Sequence, residues 1–445
     1  MAISWDAVRD EVTGHLQQLI RFNTVNPPGN EIQAAEYLLK AVQADGIDGK
    51  ILESAPGRAN FVARIPGSGQ GRPLMLMAHS DVVSVEPDKW THDPFGGEIV
   101  DGKVWGRGAV DTKDLVACEL MVMLMIKRAG LTLDRDLILT TFADEEAGGH
   151  YGAEWMWENH RDLIDAEVAI NEGGGSAVDI EGKRFYLCQT GEKGGARMRL
   201  YARAAPGHAS MPLSDTAMRR AGRAVQRLTD HTFPTIMTAT VERMLTAIGE
   251  SLGGSTQSQV QRILANPTWE ALSELPLSDM ELRSLYATTR NTAVPTIIHG
   301  GHRINVIPSE VTVDVDGRVL PGQDPAAFAA QVRDLIGDDV EVEYEEARSS
   351  SGIEADPQSD LFETISSTMA EIDAGSTVVP FLVAGGTDAA SLPGIKVYGF
   401  MPSRDNPEEM TLAHSHDERV SISNLEFGTR ALYEIVTRYC HAQGS

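Results

Sequence analysis

Leu137-Ile-Leu-Thr-Thr-Phe-Ala-Asp-Glu-Glu146 runs an unbroken apolar and β-branched stretch directly into three carboxylates. A stretch without polar alternation reads as a strand covered on both faces, which is the habit of a parallel sheet with helices on either side. Two other segments repeat the pattern: Leu74-Met-Leu-Met-Ala before His79-Ser-Asp81, and Val168-Ala-Ile-Asn before Glu172. Parallel strands present sites at their carboxyl ends. Acid–base and metal-capable residues at all three ends therefore predict a shared site in an α/β fold.

The elements around these strands agree. Trp5 to Phe22 and Ile32 to Ala44 have helix-like apolar spacing, and Phe61 to Ile65 reads as a strand. The loop Trp105-Gly-Arg-Gly-Ala-Val-Asp111 leads into a helix from Lys113 to Arg128, with Asp111 or Thr112 available as its N-cap. After Gly191 the pattern changes. Ala196 to Ala202 reads as a strand, Thr216 to Leu228 as a helix, Thr296 to Arg303 and Val311 to Val319 as strands, Pro325 to Ile336 as a helix and Val340 to Tyr344 as a strand. Strand-helix-strand-strand-helix-strand is the split βαβ, ferredoxin-like order. Residues 229–293 fall inside that order, carry helix-like stretches at Thr238 to Leu252 and Ser278 to Tyr286, and read as an insertion. After Ser350 the α/β pattern returns, with Leu361 to Ala370 helical, Val397 to Phe400 strand-like and Leu425 to His441 a closing helix. The expectation is a discontinuous α/β domain, residues 1–190 and 348–445, interrupted by a smaller α+β domain at residues 191–347.

The chain has 445 residues, enough for two or three domains at roughly 150 residues each. Lys plus Arg is 38 and Asp plus Glu is 64, so the net charge is 38 − 64 = −26, which argues against nucleic acid and anionic membranes as partners. Cys118, Cys188 and Cys440 are widely spaced, so neither a disulfide framework nor a thiolate zinc site is indicated. The opening residues carry Asp6, Asp10 and Glu11 and do not read as a signal peptide, and Leu115 to Ile126 is too short to span a bilayer. A cytoplasmic location is expected.

Hydrolytic metal centres use imidazole nitrogens and carboxylate oxygens. In His79-Ser-Asp81 the carboxylate is placed to orient the imidazole, unless this is a loop histidine that happens to neighbour an aspartate. Adjacent Glu145 and Glu146 repel one another unless a cation or solvent intervenes; one can ligate while the other serves as general base, or both can belong to a solvated turn before Gly148-Gly149. Glu172 precedes Gly173-Gly-Gly175, and either histidine of His414-Ser-His-Asp-Glu418 is a candidate ligand. Gly249-Glu-Ser-Leu-Gly253 matches a serine-hydrolase elbow in form, but it follows a helix-like stretch, which disfavours an esterase built on Ser251.

Taken in order, Met77-Ala-His79-Ser-Asp81, Trp90 with Asp93-Pro-Phe95, Asp101-Gly-Lys-Val-Trp-Gly-Arg-Gly-Ala-Val-Asp111-Thr-Lys, Asp144-Glu-Glu146, Asn171-Glu172-Gly-Gly and His414-Ser-His-Asp-Glu418 resemble one family. It is the dinuclear-zinc metallopeptidase family of aminoacylase-1, carboxypeptidase G, succinyl-diaminopimelate desuccinylase and carnosinase-like dipeptidases. The resemblance covers nearly the whole chain. It implies a zinc-peptidase-like catalytic domain with a mixed, mainly parallel sheet, and a ferredoxin-like lid that also forms a homodimer. It further implies two zinc ions per chain, with cobalt or manganese also accommodated. Asp111 would bridge them, His79 and Glu172 would complete one, and Glu146 and His414 the other. Glu145 would be the general base and Asp81 would orient His79, while His416 occupies a variable position. In the lid, Pro206-Gly-His208-Ala-Ser matches the motif whose histidine reaches the substrate carbonyl, commonly in the partner subunit's site. Asn305 resembles a substrate contact and Arg318 a binder of the substrate carboxylate, with an exposed strand arginine as its alternative. Gly386 and Thr387, in Gly385-Gly-Thr-Asp388, match a loop near that carboxylate. The implied activity is hydrolysis of an amide or peptide bond beside a free carboxylate, in N-acyl amino acids or short peptides. A non-catalytic binding or oligomerisation protein on the same fold is the alternative, and it would be favoured by a missing ligand or base.

Overall fold

A computed structural model describes residues 3–441, so the outermost residues of the expected first and last segments, 1–2 and 442–445, lie outside the described residues. The chain separates into two compact units. One comprises residues 3–190, 355–381 and 387–441, the other residues 191–354 and 382–386.

In the first unit the three apolar stretches are strands buried along their whole length, Leu74–His79, Leu137–Phe142 and Val168–Asn171. Leu74–His79 pairs in parallel with both of the others. Lys396–Gly399 adds a fourth parallel strand beside Val168–Asn171. The register sets His79 opposite Phe142 and Asn171 opposite Gly399, so the residues that follow these strands emerge along one edge. Outside this centre the pairing turns antiparallel. Arg58–Ile65 pairs with Leu137–Phe142, Asp48–Ala55 lies beyond it, and Lys183–Glu192 meets Lys396–Gly399 at Gln189. The sheet is mixed, with parallel pairing among its four central strands.

The helix Lys113–Arg128 is buried from Lys113 through Ile126 and packs against Trp5–Arg21, Ile422–Tyr439 and the strand Leu74–His79. Apolar residues on every face allow this, since burying one large aliphatic side chain contributes about 1.5–3 kcal/mol. Its first residue is an exception with a purpose. Lys113 Nζ donates to the carbonyls of Leu19 and Phe22 at 3.0 and 2.9 Å, a cation placed at the negative end of the helix Trp5–Arg21. Burial pushes this lysine down to about 7.

In the second unit the sheet runs Glu341–Tyr344, Met198–Arg203, Glu310–Val319, Thr292–Gly300, antiparallel throughout. With the helices Ala217–Asp230 and Pro325–Ile336 between them in sequence, these strands have the split βαβ order. Thr292–Gly300 starts and ends earlier than the expected strand Thr296 to Arg303. Four helices, Ala239–Leu252, Gly254–Ala265, Trp269–Leu272 and Asp279–Ala287, occupy the stretch before it. Thr238, Thr268 and Ser278 cap three of them through side-chain oxygens. Ser251 lies inside the first, so it sits on no strand-to-helix elbow. Among the described residues, no helix is long and apolar enough to cross a membrane.

One close approach in the first unit fixes the loop that carries Glu145 and Glu146. Gly152 precedes the helix Ala153–Ile164, and a Cβ there would overlap the carbonyl oxygen of Ala143, just beyond the strand Leu137–Phe142. Gly152→Ala is therefore expected to lower unfolding stability by on the order of 3 kcal/mol, measured by urea denaturation, as overpacking does. An unchanged midpoint would show that this loop yields freely.

Candidate metal centre

The central strands deliver the first donors. His79 is the last residue of its strand and is buried, Glu145 and Glu146 open a short 3-10 turn after Leu137–Phe142, and Glu172 directly follows Val168–Asn171. Asp111 arrives from the loop before Lys113–Arg128, and His414 from a loop late in the chain. His79 Nε2 lies 3.2 Å from Asp111 Oδ1, 3.5 Å from Glu172 Oε1 and 3.9 Å from Glu145 Oε2. On the other side of the same carboxylate, His414 Nε2 lies 3.1 Å from Asp111 Oδ2 and 3.0 Å from Glu146 Oε2. Asp111 thus faces a different imidazole with each oxygen.

Behind these donors stands a polar frame. Asp81 Oδ1 accepts the Glu145 N–H at 3.1 Å, while its Oδ2 accepts the Glu146 N–H at 3.2 Å and the Asn26 amide at 2.8 Å. Asp81 also faces His79 Nδ1, through its carbonyl oxygen at 3.0 Å and its Oδ1 at 3.5 Å. That arrangement leaves Nε2 as the ring nitrogen turned toward Asp111. Asn26 donates a second time, to Asp144 Oδ1 at 2.9 Å, and Arg58 bridges Asp144 and Glu31. Asp144 adopts a left-handed backbone, φ 70°, which turns the chain so that the two glutamates project from consecutive positions.

Crowded charge displaces the protonation equilibria. Burial alone would lower the His79 imidazolium, but Glu172, Asp111 and Asp81 outweigh it and hold it well above the usual histidine range. His414 is pushed up to about 10 by its hydrogen bonds to Asp111 and Glu146. Burial opposes ionisation of Asp111, yet the two imidazoles keep it well below the ordinary carboxylate range. Burial, reinforced by Glu172, raises Glu145 well above that range, and burial raises Glu172 too.

The donors fit a metal. One atom each from His79, Glu145 and Glu172, and one each from His79, Asp111 and Glu146, fall within 4.8 Å of one another. Glu146 Oε1 is buried with no hydrogen-bond partner among the described residues, which a hard or borderline cation would supply. Imidazole with carboxylate is a donor set that suits zinc.

Other candidates lie elsewhere. His208, Asn305, Arg318 and Gly386 belong to the second unit, Thr387 to the first. His208 pairs with Val306 in a short antiparallel ladder, and just beyond it the Ala209 N–H donates to the Asn305 carbonyl at 3.0 Å. The Ser210 N–H donates to His208 Nδ1 at 3.2 Å, so Nδ1 accepts and the neutral ring carries its proton on Nε2. Arg318 Nε is engaged by Asp316 at 2.9 Å. Thr387 Oγ1 accepts from the Asn171 amide at 3.1 Å and caps the turn Asp388–Ser391. His416 pairs with Glu86 at 3.1 Å.

Sequence reasoning passed over three buried groups. Asn26 carries no motif signal. Asp388, whose pKa burial raises well above the usual range, has an Oδ2 with no hydrogen-bond partner among the described residues and closes the Gly385-Gly-Thr-Asp388 match, where it was given no role of its own. Glu418 closes the His414 motif and accepts the N–H groups of Val110 and Asp111 at 2.8 and 3.2 Å.

This fold and this donor set define a metal-binding α/β hydrolase. The chain belongs to Peptidase family M20/M25/M40, whose model matches residues 75–438. It is 27% identical over 403 residues to the N-fatty-acyl-amino acid synthase/hydrolase PM20D1 of Xenopus tropicalis, covering 88% of this chain and 77% of that protein. It is 26% identical over 419 residues to aminoacylase-1 of Sus scrofa, covering 91% and 89%. The fold is that of the M20 family metallo-carboxypeptidase Sso-CP2 from Sulfolobus solfataricus, with a TM-score of 0.73, 16% identity and coverage of 97% and 100%. Human carnosine dipeptidase 1 superposes with a TM-score of 0.68 and 14% identity, covering 98% and 97%.

A raised imidazole pKa has a direct consequence for loading. With His414 at about 10 in the metal-free centre, the ring is protonated at pH 7 and must give up that proton to ligate. Zinc affinity is therefore expected to rise with pH until about 10, with protons released on binding at pH 7. Calorimetric titration of zinc in two buffers of different protonation enthalpy checks this; equal heats would show that the imidazoles are neutral beforehand.

Proposed function

We propose that the protein hydrolyses an amide or peptide bond beside a free carboxylate, in N-acyl amino acids or short peptides. The observation that carries this reading is Asp111, whose two oxygens lie 3.2 and 3.1 Å from the Nε2 atoms of His79 and His414. Two half-sites share one carboxylate, the arrangement a dinuclear centre needs. His79 and Glu172 complete one half-site, Glu146 and His414 the other. These donors would hold zinc, or cobalt or manganese, which when bound would supply Lewis acidity for attack of water on the carbonyl.

The chain's own residues carry the protons and the orientation. Glu145 takes a proton from the attacking water and returns it to the leaving amine, and its burial gives it the basicity for that shuttle. Asp81 fixes the ring of His79 and, through two backbone N–H groups, the positions of Glu145 and Glu146. His208 is assigned to the carbonyl oxygen in the transition state, an assignment supported by the N–H left on its Nε2. Asn305, Arg318, Gly386 and Thr387 are assigned to substrate binding from the motifs they match. The planar guanidinium of Arg318 suits bidentate recognition of a carboxylate.

Relatives favour the substrate class. The synthase/hydrolase and aminoacylase-1 are named for N-acyl amino acids, and two of the structural matches are a carboxypeptidase and a dipeptidase. A cytoplasmic location agrees with Cys118, Cys188 and Cys440, all buried and unpaired.

We also infer a homodimer through the second unit. Its edge strand Thr292–Gly300 is paired on one side, with Glu310–Val319, and leaves Val294, Ile297 and Ile298 53%, 48% and 58% exposed. Such an edge is a template for a second copy.

Two measurements test these readings. Amine release from a panel of N-acyl amino acids and dipeptides, with zinc added, is expected from the natural chain and to fall by roughly 10²–10⁴-fold in Glu145→Gln, with metal content unchanged. Full activity in Glu145→Gln would remove it as the base. Ile298→Lys is expected to shift sedimentation from dimer to monomer, whereas a monomeric natural chain would refute the interface.

A further inference from the structure

Glu418 and Arg107 form a buried pair that the proposed chemistry does not use, at 2.7 Å between Oε2 and Nη1. Replacing such a pair by apolar side chains is often neutral or stabilising, so stability alone does not explain it. What the pair touches is more informative. Glu418 Oε1 accepts the N–H groups of Val110 and Asp111 at 2.8 and 3.2 Å, and the Glu418 carbonyl accepts the Gly106 N–H at 2.9 Å. Arg107 Nη2 reaches the carbonyls of Ser84 and His414 at 3.5 and 3.4 Å.

Resting on the reading of Asp111 as the shared ligand, we propose that Glu418, locked by Arg107, is the positioning residue that sets how tightly the centre holds metal. The clamp acts on backbone. Both oxygens of Asp111 are directed at imidazoles, so the orientation of its side chain is governed by where its peptide lies, and Glu418 fixes that peptide from the N–H side. His414 is held by the same device. Its backbone is left-handed, φ 61°, a conformation uncommon outside glycine, and its carbonyl is one that Arg107 reaches. Glu418 lies four residues after His414, so a single short segment supplies one ligand and the grip on another. The same segment is tied to the 84–92 loop, where Asp417 accepts the Thr91 N–H and hydroxyl at 2.7 Å each. Loosening the pair separates the two ligands that face each other across Asp111 without removing either.

The test compares the natural chain with Glu418→Gln and Arg107→Lys. A glutamine amide turned toward Arg107 is a donor facing a donor, and a lysine ammonium cannot serve both Glu418 and the His414 carbonyl in the fork geometry of a guanidinium. Zinc per chain is read by elemental analysis, and zinc affinity by competition with a chromophoric chelator. Folding is followed by circular dichroism, and kcat is measured as free zinc is raised. The expected result is a folded Glu418→Gln protein whose weaker-bound zinc is held roughly 10–100-fold less tightly, with kcat recovering toward that of the natural chain at saturating zinc. Arg107→Lys is expected to move in the same direction. Folded variants with unchanged zinc affinity would overturn the proposal and leave the dinuclear reading standing. A natural chain that binds no zinc would overturn both. Should Glu418→Gln fail to fold, Arg107→Lys decides by the same criterion.

Discussion

Carboxylates of like charge, gathered at one edge of a sheet and withdrawn from water, impose the constraint that the first unit is organised around. Asp81, Asp111, Glu145, Glu146, Glu172 and Asp388 interact there with overlapping electrostatic influence, and burial raises several of their pKa values. A fold can tolerate this only by supplying positive partners or fixed N–H donors. The molecule does both, and it does so unequally. Asp81 has each oxygen engaged by backbone or amide donors, and Asp144 is bonded by Asn26, Arg58 and the Tyr151 N–H. Glu146, on the inner side, leaves an oxygen unanswered. Saturated groups on the outside and an unsaturated one within describe a frame around a place for a cation.

The frame is not explained by its own stability. Glu31, Arg58 and Asp144 form a buried charged chain with contacts of 2.7 and 2.9 Å. Removing one member of such a set costs about 3–5 kcal/mol, while replacing all of it by apolar side chains often costs nothing. Its specific effect is on conformation. Asp144 is held in a left-handed backbone with all its bonds made, and that turn is what places Glu145 and Glu146 beside Asp81. Electrostatic cost in one layer is converted into position in the next.

How much of this was legible in the sequence follows from which forces are local. Strands without polar alternation announced the buried parallel centre, and the helix Lys113–Arg128 was readable from the loop and N-cap candidates Asp111 and Thr112 before it. The strand expected at Thr296 to Arg303 runs instead from Thr292 to Gly300 and includes Pro295. Pro295 is tolerated where the strand is an edge and the register shifts, between Pro295 and Ile297. Lys183–Glu192 was missed altogether, although it is largely buried and carries the apolar run Phe185-Tyr-Leu-Cys188 between charged and polar ends. At the candidate site the residues His79, Asp111, Glu145, Glu146, Glu172 and His414 were legible as motifs and are neighbours in space. Asn26 was not, because its role is to donate to Asp81 and Asp144, 55 and 118 residues away.

The two imidazoles show the same division between packing and polar restraint. His79 ends a fully buried strand, so its place is set by the sheet, by its neighbours Phe142 and Asp81, and by apolar packing that no single contact dominates. His414 has a side chain 55% exposed, sits on a loop and adopts a backbone that packing alone would not select. What sheet registry does for the first must be done for the second by individual hydrogen bonds to Arg107, Thr91 and Glu86 from its own segment. Since Asp111 faces both rings, it joins an imidazole fixed by the core to one fixed by a few polar contacts. Local opening is easier where restraint is discrete and exposed than where it is cooperative and buried. The asymmetry between the two imidazoles is thus a property of where in the fold each histidine was placed, with Asp111 facing both rings.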